Sequence, residues 1–179
     1  GVPNYFGPQR FGREGSNLAR ARRWIEDGAR LPGRGAQRGY VLSAARSLLF
    51  NEVLAARVRA GVLDRHLDGD VPDAIDPTLA TAPLWGRGRS AAAGAALELE
   101  AAALAPWRPW CEALEHVGLV HERRAVLLRP GRLAVDLEGT VLRLAFTLPP
   151  GAFATALLPA LGAFRDATAE RGAAMGSAA

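Results

Sequence analysis

Two guanidinium groups and three aromatic rings crowd one short stretch near the start of the sequence: Tyr5, Phe6, Arg10, Phe11 and Arg13. Rings of this kind can cover the edge of an apolar core while offering flat surface outward, and an arginine fork matches phosphate and carboxylate geometry. RNA is one partner that uses both. The same stretch carries glycines at 1, 7, 12 and 15 and prolines at 3 and 8. These residues keep helix and strand ladders from closing, so the run must be held by tertiary contacts.

Five aspartates, Asp64, Asp68, Asp70, Asp73 and Asp76, offer a second chemistry, that of a divalent cation site. The spacing fails the calcium-binding loop, which wants glycine at its sixth position and glutamate at its twelfth; counted from Asp68 those places hold Asp73 and Leu79. Turn chemistry is the leading reading of these carboxylates. His66, His116 and His121 share no metal-ligand spacing and no nucleophile partner, so no chemistry is assigned to them. The single cysteine, Cys111, excludes an internal disulfide and a multi-cysteine zinc site, and reads as a small buried hydrophobe in a reducing compartment.

The chain has 179 residues, 49% hydrophobic and 22% charged, enough for one substantial core or two small ones. All 22 basic residues are arginine, a bias attributed first to genome composition, so their distribution says more than their number. Gly1 to Arg46 holds nine arginines against three acids, and the remainder thirteen against fifteen. Positive charge gathered at the front suggests a polyanionic partner, with a solvated basic helix face as the alternative. No apolar run reaches the roughly 18 residues of a membrane span and no signal-peptide pattern is visible, so a cytoplasmic protein is expected. The strongest motif stands at Gly1 with no methionine before it, which reads as a cut rather than a natural start.

The elements that must position these groups follow from periodicity. Ser16 or Asn17 can cap a helix that ends near Asp27 and Gly28, with Leu18, Ala21 and Ile25 on one face. The longest helical pattern runs from about Arg38 to Ala60 and should be the core of its domain. Along it, Ser43, Ser47 and Asn51 form a polar stripe beside Arg46; the first reading is a network holding the opening run, and direct RNA contact is the alternative. Pro77 to Arg89 reads as a long surface loop, Ala91 to Ala105 as a helix, and Cys111 to His116 as a short helix after a junction at Pro106 to Trp110. From His121 onward short strands are expected at 125–128, 133–137 and 141–147, the last two forming a hairpin across Glu138-Gly139-Thr140, before a final helix over about 152–168.

Residues 1 to 17 match, almost position for position, the motif G-V-P-N-Y-F-G-x-Q-R-F-G-x-x-G-x-N. The chain thereby resembles the TruD family of tRNA pseudouridine synthases. The likeness continues at Leu42-Ser43-Ala44-Ala45-Arg46-Ser47, at Phe50-Asn51, at Asp68-Gly69-Asp70 and at Leu148 to Thr155, in the family's order. The resemblance implies an α/β (α+β) fold: a mostly helical TRUD insertion domain plus a strand-strand-helix portion of a mixed-sheet catalytic core. It assigns 1–12 to a core segment, 13–125 to the TRUD insertion, 126–170 to the return into the core and 171–179 to a tail.

The implied activity is isomerisation of uridine to pseudouridine in tRNA, typically at position 13, with no metal and no organic cofactor. Such chemistry detaches a base from C1′, turns it and rejoins it through carbon, so the base must leave the stack. The family's nucleophilic aspartate lies in an upstream Lys-Asp-Arg-x-x-x-Thr-like motif that this sequence lacks, so no catalytic residue is assigned here. By resemblance Phe153 packs beside the target base, with an ordinary core ring as the alternative. Asn4, Tyr5, Arg10, Arg13 and Arg46 are the candidate RNA-cleft residues. The expected partners are tRNA and the missing N-terminal half of the same enzyme, and the chain is expected to be a monomer outside any membrane. A non-catalytic RNA-binding protein that kept the TRUD domain is the alternative function, and a protein-protein adaptor built on the helices between Ala91 and Leu114 is a third.

Overall fold

The computed structural model describes residues 1–149, 152, 154–157 and 162. In chain order, β1 is Val2–Pro3, α1 Ser16–Ile25, α2 Ala36–Arg59, β2 Thr81–Leu84, α3 Gly94–Leu104, α4 Arg108–Glu115, β3 Glu122–Ala125, β4 Leu127–Leu128, β5 Gly131–Glu138 and β6 Val141–Thr147. The strands pair antiparallel in twos, β1 with β4, β2 with β3 and β5 with β6. This is an α/β arrangement of helices and small strand pairs. Among the described residues no helix is long and apolar enough to cross a membrane.

The α2 helix is the centre of the main core. Val41, Ala45, Leu49, Phe50, Val53 and Leu54 are fully buried along it and meet Phe6, Ala21, Trp110, Leu114 and Val126. Apolar residues at three- and four-residue spacing force this burial, and a helix apolar over so much of its surface has to lie inside. A second, smaller cluster joins Leu128 to Ala156 and Leu157, with Val2 and Phe146 against it.

Three expectations need correction. The α1 helix begins at Ser16 without a side-chain cap, because Gly15 takes the cap position in the left-handed region (φ 73°). The expected surface loop from Pro77 to Arg89 contains the buried strand β2; Thr81, Ala82 and Pro83 lie inside, and Pro83 sits opposite Arg123. A proline is tolerated there because β2 has one strand neighbour, leaving an edge where no N–H is required. The strand expected at 125–128 is two, β3 and β4, separated at Val126, whose N–H and C=O bond instead to the Ala80 carbonyl and the Asn4 N–H. The expected final helix over 152–168 and the tail at 171–179 fall largely outside the described residues, which include a 3-10 turn at Ala154–Ala156.

Two ion pairs brace the core. Arg57, at the C-terminal end of α2, pairs with Asp70 with both side chains almost wholly buried, and the other Asp70 oxygen accepts from the Leu67 N–H at 2.7 Å. The Arg57 Nε and Nη1 are buried without a hydrogen-bond partner, so desolvation of this cation is only partly offset. Arg123 on β3 pairs with Glu100 on α3 and also donates to the Thr81 carbonyl at 2.8 Å. Each arginine joins segments that the sequence keeps far apart.

Burial decides two titrations. The Cys111 thiol is pushed up to about 12, chiefly by burial and then by Glu115 and Glu112, which keeps it an inert hydrophobe. His121, edge-on to Trp85 with centroids 5.2 Å apart, is held below the usual imidazole range, mainly by burial and next by Arg123.

The Asp70→Ala variant should lose about 3–5 kcal/mol, because it strands a buried cation, while Asp64→Ala at an exposed site should change stability by less than about 0.5 kcal/mol. Urea unfolding midpoints of the two variants check this. The unfolded chain binds a proton at His121 at a higher pH than the folded chain does, so this histidine makes stability fall as pH drops from about 7 through the ordinary imidazole value. Removing it in His121→Leu should flatten that part of the stability-pH curve, measured as unfolding midpoint from pH 7.5 to 5.

Candidate nucleic-acid interface

The opening run has little backbone ladder of its own, and side chains from two other elements supply the missing partners. Asn51 on α2 accepts from the Phe6 N–H through Oδ1 and donates from Nδ2 to the Phe6 carbonyl, both at 3.0 Å. One amide therefore satisfies both polar groups of one residue. Asn4 is buried and donates from Nδ2 to the Ala125 carbonyl at 2.8 Å, while its Oδ1 accepts from Arg124 at 2.6 Å. Arg10 donates to the Ser43 Oγ at 2.9 Å. The Ser43 and Asn51 side chains thus hold the run, as the polar stripe on α2 suggested.

Phe6 joins these contacts into one group. Its ring is buried edge-on to Phe50, with centroids 5.4 Å apart. The Arg124 guanidinium lies over the Phe6 ring at 4.3 Å and the Arg10 guanidinium at 5.0 Å. A ring face attracts cations, so this aromatic pair seats two like charges near each other. Burial and the neighbouring Arg10 lower Arg124 to about 10, still cationic at neutral pH.

A cavity of about 590 Å³ opens beside this group. Asn4, Arg123, Arg124 and Arg129 line it with Asp73, Asp76 and several apolar residues. Its volume falls in the range of small-ligand sites. The two aspartates have local duties: one Asp73 oxygen accepts from the N–H groups of Ile75 and Asp76, and Asp76 accepts from the N–H and hydroxyl of Thr78. The Thr78 hydroxyl is the main reason the Asp76 carboxyl lies below its usual range. Among the described residues no three acidic, histidine or cysteine side chains are grouped to hold a metal ion.

The six candidate residues fall in different settings. Arg10 lies over the Phe6 ring, and Asn4 accepts from Arg124, which lies over the same ring. Tyr5 packs partly against the main core, and burial raises its phenol above the usual range. Arg13 is exposed, in a turn where the neighbouring Glu14 holds a left-handed conformation (φ 54°). Arg46 is occupied within the fold: it donates to the carbonyls of Leu84 and Val120 at 2.7 and 2.8 Å and pairs with Glu122 at 3.1 Å. Phe153 lies outside the described residues; its neighbour Ala152 lines the large cavity.

Sequence reasoning missed Arg124 and Arg129 as lining residues. A signal for Arg124 was present, since adjacent arginines on a strand point to opposite faces. On β3, Arg123 turns to Glu100 and Arg124 to Asn4.

No family model matches the chain. Curated proteins named tRNA pseudouridine synthase D do match it. The protein of Aeromonas hydrophila is 45% identical across 88% of this chain and 50% of its own length. That of Cellvibrio japonicus is 49% identical across 88% and 46%, and that of Xanthomonas euvesicatoria 42% across 93% and 55%. The chain therefore spans about half the length of these relatives. Its fold is similar to the crystal structure of a Methanosarcina mazei protein described as tRNA pseudouridine synthase D, with a TM-score of 0.57, 19% identity and coverage of 88% of this chain and 60% of that one.

The Asn51→Ala variant leaves both polar groups of Phe6 without their partners and should cost about 1–3 kcal/mol. Chemical denaturation gives the loss, and limited proteolysis should show cleavage within residues 4–12 that the parent chain resists.

Proposed function

We propose, since this chain belongs to the TruD family of tRNA pseudouridine synthases, that it forms part of an enzyme that isomerises uridine to pseudouridine in tRNA. The observation that carries the reading is the 41–49% identity to proteins of that name over 88% of the chain. The geometry supports it independently. A cavity of small-ligand size is lined by Asn4, Arg123, Arg124, Arg129 and apolar side chains, with Asp73 and Asp76 at its wall, and Arg124 is seated on the Phe6 ring; the cationic and apolar lining suits a nucleotide.

On this reading Asn4 and Arg124 shape the place where an extruded uridine sits, and Phe153 lies against its base. Arg10 and Arg13 meet the RNA backbone, while Arg46 acts by holding β2 and the segment before β3. Residues 13–125 form the insertion, and 1–12 with 126–170 belong to the catalytic core. The base must be detached from C1′, rotated and rejoined through carbon; the chain supplies enclosure and orientation for that sequence, and the attacking aspartate comes from the part of the enzyme this chain does not span. No metal or organic cofactor is called for, and the protein acts in the cytoplasm as a monomer.

The β5–β6 hairpin supports the idea of a further half. Val135 pairs with Leu144 and Leu137 with Leu142, which places four apolar side chains on one face, while Asp136 and Arg143 pair on the other. Val135, Leu137 and Leu142 are 61%, 69% and 43% exposed. A two-stranded hairpin with a bare apolar face is at most marginally stable in water, so we assign its cover to the remainder of the enzyme. The positive charge gathered in Gly1 to Arg46, nine arginines against three acids, favours one second reading, a non-catalytic RNA-binding protein.

The isolated 179-residue chain should form no pseudouridine on tRNA transcripts. A chimera in which it replaces the matching half of the Aeromonas hydrophila relative should form it, read as carbodiimide-resistant primer-extension stops. A folded chimera that binds tRNA without forming pseudouridine would favour the second reading. One that neither reacts nor binds would contradict both.

A further inference from the structure

A second pocket, of about 360 Å³, shares Arg10 with the reading above, which otherwise makes no use of it. Its lining is Gln9, Arg10, Asn17, Tyr40 and Ser43, polar side chains without an acid among them. Tyr40 is the unusual member. It stands on the second turn of α2, the most buried helix of the chain, yet is 60% exposed and takes no part in the core. A tyrosine ring left in solvent beside a fixed arginine is a ready stacking surface for a nucleobase.

The walls are held in place. Arg10 is fixed by its bond to Ser43. The Asn17 amide packs against Gly12 so closely that a Cβ there would come within 2.8 Å of it, and Gly12 also has a positive φ (85°). The amide can both donate and accept, which suits a base edge. Two further cations stand close by in sequence: Arg13 is exposed in the turn just before α1, and Arg20 stands three residues after Asn17, on the same face of that helix.

The pocket is also close to the large cavity. Arg10 lines one and Arg124 the other, and both guanidinium groups lie over the single Phe6 ring. One short stretch of strand can reach both.

We infer that this pocket binds a second nucleotide of the same RNA strand, its base stacked on Tyr40 and its phosphates met by Arg10, Arg13 and Arg20. The inference rests on the RNA-modifying reading above and adds to it a site that reads sequence or shape next to the modified base. Tyr40 is then a specificity-determining residue that touches substrate without taking part in the bond changes.

The test is equilibrium binding of an unmodified tRNA transcript, by fluorescence anisotropy across a salt series, to the chimera with the Aeromonas hydrophila half and to its Tyr40→Ala and Tyr40→Phe variants. Tyr40→Ala should bind about 5- to 30-fold more weakly, as expected for the loss of one stacked base, with the slope of log affinity against log salt unchanged because no charge is removed. Tyr40→Phe should stay within about twofold of the parent. Thermal melts of both variants should match the parent, since the side chain is exposed. Binding by Tyr40→Ala equal to the parent overturns the inference while leaving the RNA reading in place. Equal loss in both variants overturns stacking, because the hydroxyl would then be the contact. A parent chimera that binds no tRNA even at low salt overturns the RNA reading and this inference together.

Discussion

The amide of Asn51 on the backbone of Phe6 is the contact on which the candidate interface depends. A run with four glycines and two prolines in seventeen residues has neither the side-chain burial nor the ladder hydrogen bonds to hold a shape alone. One asparagine, on the best-buried helix, supplies a donor and an acceptor to the residue whose ring seats Arg10 and Arg124. Asn4 does the same on the other side, tying the run to β3 and receiving Arg124. The cations are thereby placed by the backbone that the amides fix.

The helix carrying Asn51 is itself fixed at its far end. Arg57, further along, closes on Asp70, and removing either partner of such a buried pair leaves an uncompensated charge inside. Arg123 and Glu100 do the corresponding work for β3 and α3. The two strands that bound the cavity are too short to define their own register, with four paired residues in one case and two in the other. Charged clamps from outside the sheets and the apolar packing around Val126 and Leu128 set it instead.

How far the sequence could be read varied with the range of the interaction concerned. The helices α2, α3 and α4 and the β5–β6 hairpin rest on local periodicity and turn residues, and these were visible. The role of Ser43 and Asn51 was also visible, since polar groups at four-residue spacing on an apolar helix require partners, and the nearest segment in need of partners was the opening run. The strand β2 was hidden, because Pro83, Trp85, Gly86 and Gly88 read as a loop, and its burial comes from pairing with residues some forty positions later. The structural contacts of Arg46, a candidate RNA-cleft residue, were hidden because its two carbonyl partners lie in segments with no local mark of their proximity. Arg57 and Asp70 were a helix residue and a turn residue until tertiary contact joined them.

Hydrogen exchange at the amides of Asn4 and Phe6 bears most directly on the claim that the opening run is a fixed part of the structure. Their N–H groups bond to the Val126 carbonyl and to Asn51. If that account is right, both amides exchange as slowly as those of Phe50 and Val53 in the middle of α2, through global unfolding alone. Exchange of Asn4 and Phe6 at rates far above the α2 core would mean that the run opens independently, and the cationic group built on Phe6 would lose its preorganised character.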